Sequence, residues 1–206
     1  MGHQVVLFAN QLEDFGLCRA IPHPKISRNI ILQLIRMIIA YTVLFLKRPI
    51  VILRFLHLEK KDGVPFRSRW ENLYINCNIL KENLDWIHFG FATMTLRREN
   101  VARAIDARMG VSLRGYDICI YPLKHQGCYK RLWDKVDKVH SISNDLLVAA
   151  QKQDLTDDTP QIIIHPAIDI DIFNTGGKNW KNINSKEKIH FLTVSRLHWK
   201  KGLEYT

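Results

Sequence analysis

Two cations near the carboxyl end of the chain are spaced for phosphate chemistry. Arg196 stands in Ser195-Arg196-Leu197, and five residues later Lys201 is followed at once by Gly202. A guanidinium offers a planar fork of N–H donors and an ammonium a point charge, and both suit the oxygens of a diphosphate. The apolar run Phe191-Leu192-Thr193-Val194 predicts a strand leading into them, and a helix opening at Gly202 would add its N-terminal dipole at the same anion. Three further places carry polar groups just after predicted strands: His88-Phe89-Gly90, Arg114-Gly115-Tyr116-Asp117, and Ser141 with Ser143. Ligands of open parallel sheets sit beyond the carboxyl ends of the strands. Arg114 and Asp117 can grip the phosphate and hydroxyls of a ligand across a turn that Gly115 permits, and a structural Arg–Asp pair is the equal alternative. His88 either faces the same cleft or bonds locally within its loop, and capping alone explains Ser143. His165 and His198 share no metal-ligand spacing, so no metal site is expected; Trp199 reads as packing.

The elements that must hold these groups alternate. Residues 4–9 read as a strand. Ser27 predicts a cap for an apolar helix over 28–46, and Pro49 suits the first turn of a second over 49–60. Lys61-Asp62-Gly63 is a turn, and Trp70, Leu73, Cys77 and Leu80 recur at helical steps within 67–81. Strands follow at 85–89, 110–113, 138–142 and 161–165, separated by helical stretches at 95–108, 124–136 and 144–153. Such alternation implies an α/β fold: a Rossmann-like, doubly wound parallel sheet flanked by helices. The expected domains are 1–174, a polar linker at 175–187 that includes Thr175-Gly176-Gly177-Lys178, and at 188–206 the first strand of a second Rossmann-like domain.

Four motifs in this order resemble the retaining GT-B glycosyltransferases of family 4. Val194-Ser195-Arg196-Leu197 with Lys201-Gly202 is similar to the V-G-R-L…K-G that opens their second domain. Val139-His140-Ser141-Ile142-Ser143 with Asn144-Asp145-Leu146 resembles their V-x-x-x-S-x-x-L. Residues 160–173 (PQIIIHPAIDIDIF) resemble the crossing between domains, and Gly2-His3-Gln4-Val5 resembles G-H-E-V before the second strand. Arg114-Gly115-Tyr116-Asp117 and Arg196-Leu197-His198-Trp199 are most similar to the bacterial exopolysaccharide subgroup, colanic-acid or amylovoran-like. The departures are specific. Arg114 stands where the family often has the histidine of H-G-x-D, Ser195 replaces a glycine, and Pro166-Ala167 replaces Asn-Gly. The family's first strand and glycine-rich loop belong before Gly2, and its E-x7-E element after Thr206, so the chain is expected to be a piece that is inactive alone.

The resemblance implies transfer of a sugar from a nucleotide-sugar donor to a lipid-linked saccharide acceptor, with retention at the anomeric carbon, in polysaccharide biosynthesis. It implies Arg196 and Lys201 on the donor diphosphate, and His88, Arg114, Gly115 and Asp117 in the acceptor-side cleft. No cofactor beyond the donor is implied. The alternative is a non-catalytic Rossmann-like binding or membrane-docking module whose catalytic half is a separate chain. A dinucleotide-dependent oxidoreductase is disfavoured, because no G-x-G-x-x-G follows a predicted strand.

Charge and composition bound the partners. Of the net +10, a surplus of +9 falls between Arg19 and Arg69, where eleven Lys and Arg face only Glu59 and Asp62. The same segment holds the most apolar run of the chain, 30–46, interrupted by Gln33 and Arg36 and ended by Lys47-Arg48-Pro49. It is short and charged for a spanning helix. Two readings stay open: a buried helix with a charged outer face, or a basic, apolar surface on an anionic membrane. Nucleic acid is not an expected partner, since no stacking platform or recognition helix accompanies the basic segment. Cys18, Cys77, Cys119 and Cys128 form no C-x-x-C pair and read as reduced thiols. With no signal peptide read at the start, the expected location is cytoplasmic, peripheral at the inner face of the plasma membrane if the basic surface is used.

Overall fold

The computed structural model describes residues 2–9, 18–173 and 192–205. The chain divides into two compact units between Pro166 and Ala167. The polar segment 175–187 lies outside the described residues.

The first unit is mixed α/β, and every strand pair in it is parallel. A small sheet pairs β1 (Val6–Ala9) with β2 (Arg19–Pro22). The second of these is too short to show a period in sequence. The larger sheet holds β3 (Trp86–Phe89), β4 (Arg108–Leu113), β5 (Lys138–Ser141) and β6 (Gln161–Ile163), in that order. Alternation along the strands sorts its two faces. Ile87, Phe89, Met109, Val111, Leu113 and Val139 are buried in the core, whereas Trp86, His88, Arg108 and Lys138 on the other face are exposed.

Three long helices precede the larger sheet. For α1 (Ile30–Lys47) the cap is Asn29, whose Oδ1 accepts from the amides of Ile31 (3.0 Å) and Leu32 (3.2 Å). Ser27, the expected cap, lies too far out; its Oγ accepts from the Asn29 amide at 3.2 Å. The reading of α1 as a buried helix is overturned, because Leu44 is its one buried residue. After α1, α2 (Pro49–Lys61) opens on its proline and ends at Gly63, whose φ of 72° needs a glycine. Then α3 (Phe66–Leu80) sets Leu73, Cys77 and Leu80 into the core. The buried Glu59 carboxylate joins these helices to the segment beyond them, accepting from Asn72 Nδ2 (2.6 Å) and Asn100 Nδ2 (2.8 Å).

Two expected helices are broken up. Within 95–108 only α4 (Val101–Ala104) is helical, because Arg97 and Asp106 are left-handed, with φ of 67° and 61°. The Arg97 carbonyl accepts from Asn76 Nδ2 at 2.9 Å and its Nε donates to Asn72 Oδ1 at 2.7 Å. These tertiary bonds override local helix preference. Within 124–136, α6 (Tyr121–Lys124) stops before Gly127, at φ 67°, and α7 (Lys130–Trp133) follows it. Between β4 and α6 lies the short α5 (Gly115–Cys119), and α8 (Asn144–Gln151) follows β5.

In the second unit Leu192–Val194 join no sheet among the described residues, and Phe191 lies outside them. A strand exists only with a ladder partner to take its amides and carbonyls, and none is described. The helix expected from Gly202 is a 3-10 turn, Leu203–Tyr205; another, Trp199–Lys201, precedes Gly202, whose φ is 60°. All four cysteines are free thiols, with Cys77 buried.

Candidate functional site

Register, rather than sequence proximity, assembles the polar groups of the larger sheet. His88 lies opposite Gly110, and Ser112 opposite His140. Each of His88, Ser112 and His140 is the next-to-last residue of its strand, so all three come up on the same face near the carboxyl ends. They form one hydrogen-bonded row. His88 Nε2 and Ser112 Oγ are 2.8 Å apart, Ser112 Oγ and His140 Nδ1 are 2.8 Å apart, and His140 Nε2 is 3.2 Å from the Ile164 carbonyl.

A carbonyl only accepts, which fixes the protons along the row. His140 Nε2–H donates to Ile164, so in the neutral ring Nδ1 accepts from the Ser112 hydroxyl. The Ser112 oxygen then accepts from His88 Nε2–H. One edge of the His88 ring is exposed, but desolvation of the part packed on the sheet, then the His140 ring and the Arg114 guanidinium, hold the imidazole below the ordinary histidine value of 6.5. Gly110 makes room for that ring, since a Cβ there would lie 3.0 Å from His88 Nδ1.

Arg114 and Asp117 do not pair as two hands on a ligand. Asp117 is buried, and both its oxygens are occupied by main-chain amides: Oδ1 accepts from Arg114 N (2.9 Å) and Oδ2 from Ala92 N (2.6 Å). The carboxylate thereby ties the loop after β3 to the loop after β4. Burial pushes its pKa up, against the pull of those amides. Tyr129 Oη donates to the Asp117 carbonyl at 2.8 Å and holds the turn from below. The Arg114 guanidinium is half-buried, and its charge acts on both the Asp117 carboxylate and the His88 ring. A Cβ at Gly115 would meet nothing, so the turn does not need a glycine and leaves open space beside Arg114.

Ser143 begins α8 without a side-chain cap bond; Ser141 Oγ instead donates to the Ser143 carbonyl at 2.7 Å. His165 Nδ1–H donates to the Ile142 carbonyl at 2.8 Å. Arg196 and Lys201 belong to the second unit, where both are exposed and the Lys201 amide donates to the His198 carbonyl at 2.8 Å. Among the described residues no group of three or more His, Cys, Asp or Glu is arranged to hold a metal ion. Sequence reasoning missed Ser112 and His140. Only β3 carried a signal, His88 as its one polar residue; β4 and β5 hold further polar residues, so nothing in sequence singles out Ser112 or His140.

His88 should titrate below 6.5 in the folded chain, read from its ring resonances by NMR. Its neutral form is favoured by folding, so its contribution to stability is present above the ordinary value and is lost as pH falls through the lowered one. In Gly110→Ala the added methyl pushes the ring off Ser112, and the midpoint should return toward 6.5. A wild-type midpoint at or above 6.5 would mean that neither desolvation nor the neighbouring His140 and Arg114 act on the ring.

In comparison with known proteins, no family model, curated protein or solved structure matches the chain.

Proposed function

We propose that this chain is the acceptor-side part of a retaining glycosyltransferase with a Rossmann-like, GT-B architecture. It would pass a sugar from a nucleotide-sugar to a lipid-linked saccharide in exopolysaccharide synthesis, in the cytoplasm. The observation that carries the reading is the row His88–Ser112–His140 with Arg114 beside it, at the carboxyl ends of parallel strands where such sheets take ligands. The four ordered motifs support it from the sequence side.

On this reading Arg114 and the His88 ring meet the acceptor, while Asp117 and Ser112 hold them in position. Arg196 and Lys201 act on the donor. Charge builds on the nucleoside diphosphate as it leaves an oxocarbenium-like centre, and fixed cations there stabilise the transition state more than the bound substrate. The test is transfer by the complete polypeptide that carries this chain, supplied with a panel of labelled nucleotide sugars and a bacterial lipid extract. Label should enter the lipid fraction with the donor's anomeric configuration kept. No transfer across the panel, or inversion, would overturn the proposal.

A further inference from the structure

The orientation of α1 is the reverse of a soluble amphipathic helix. Its outward stripe is Ile31, Leu34, Ile35, Ile38, Ile39, Phe45 and Leu46, with Ile38 64% and Leu46 77% exposed. Of its polar residues, Gln33 and Arg36 sit on the half-buried side, while Thr42 interrupts the outward stripe and Lys47 ends the helix exposed. Gln33 Oε1 accepts from the Ser27 amide at 2.9 Å. The helix is docked rather than loose: Tyr41 Oη donates to the Trp70 carbonyl at 2.7 Å, the Tyr41 and Trp70 rings meet edge-on at 5.6 Å, and Leu44 is fully buried. The apolar surface runs on to Ile50 and Leu53 of α2, and to Phe66 beside α1, which lines a cleft of about 650 Å³ with Ile30 and Leu34. Soluble proteins rarely leave so continuous an apolar surface uncovered.

We propose that this face is a membrane-docking surface for an anionic lipid leaflet, with α1 lying flat in the boundary between headgroups and acyl chains. By length and composition α1 could cross a membrane. Its inward side is held against α3, however, so lipid cannot surround it. Charge selects the occupant. Lys25 and Arg28 precede the stripe, Lys47 and Arg48 close it, and Lys60 and Lys61 end α2, while no Asp or Glu occurs between Phe15 and Leu58. A second copy would bring the same cations face to face, whereas an anionic leaflet neutralises them and takes the apolar side chains between them. This inference is independent of the proposed sugar transfer and is tested without donor or acceptor.

The experiment is co-sedimentation of the 206-residue chain with phosphatidylcholine vesicles containing phosphatidylglycerol, against vesicles of phosphatidylcholine alone. The chain should pellet with the anionic vesicles at low salt and be released as salt rises, because screening weakens its attraction to the leaflet. Reversing Lys47, Arg48, Lys60 and Lys61 to Glu should lower the bound fraction about tenfold, and Ile35→Asp with Ile38→Asp should abolish binding at any salt. In a separate variant, Phe45→Trp, emission should shift to the blue on anionic vesicles; this readout does not depend on the multiple variants folding. Equal binding to both vesicle types, no Trp shift, or a stable dimer that Ile38→Asp dissolves would each overturn the proposal.

Discussion

If the chain serves the glycosyl transfer proposed above, Arg196→Ala and Lys201→Ala should each lower kcat/KM for that reaction by about two orders of magnitude, with the fold unchanged. Removing one preorganised donor from a developing negative charge typically costs about 3 kcal/mol of transition-state stabilisation. Both side chains are exposed, so their truncation should leave packing intact. Arg196→Lys separates geometry from charge: a large loss means that the planar fork of the guanidinium is used, and a small one that any cation serves. Near-normal donor kinetics in both alanine variants would return the pair to a solvated basic turn.

Asp117→Ala should cost about 3 kcal/mol of folding stability, because hydrogen bonds to a charged acceptor each contribute about 1.5–3 kcal/mol and two are lost. For a chain of this size that corresponds to a fall of about 10 °C in melting temperature. The Ala92 amide, buried at the start of a 3-10 turn over Ala92–Thr95, would be left without its partner. Asp117→Asn keeps an acceptor oxygen and should lose roughly half as much. Calorimetry of the isolated chain decides the matter, and a melting temperature unchanged by Asp117→Ala would mean that the carboxylate does not hold the two loops together.

Much of the frame was legible where a period is long or a breaker is sharp. The steps Trp70, Leu73, Cys77 and Leu80 gave α3, Pro49 and Gly63 bounded α2, and apolar runs gave β3 to β6. The helix expected over 95–108 failed because Arg97 and Asp106 take left-handed conformations, and bonds to Asn72 and Asn76 hold the Arg97 turn from another helix. The run 30–46 was legible as a helix, but not its outward face. A segment apolar almost all round carries little sign of which side meets the core. At the site, Arg114 and Asp117 were found from their place after a strand. That Asp117 serves main-chain amides depends on the loop after β3, which sequence does not bring near. Ser112 and His140 needed the register of three strands.

The proposal that the carboxyl ends of β3 and β4 receive the acceptor is tested most directly by the kinetics of Arg114→Ala in the proposed transfer reaction. Arg114 belongs to the first unit and Arg196 with Lys201 to the second; the proposal gives the first the acceptor and the second the donor, so loss of the Arg114 guanidinium should act on one substrate only. The apparent KM for the lipid-linked acceptor should rise about tenfold while that for the nucleotide sugar stays the same, as expected for loss of one ionic contact to a bound substrate. A rise confined to the nucleotide sugar, or no change in either, would contradict the assignment.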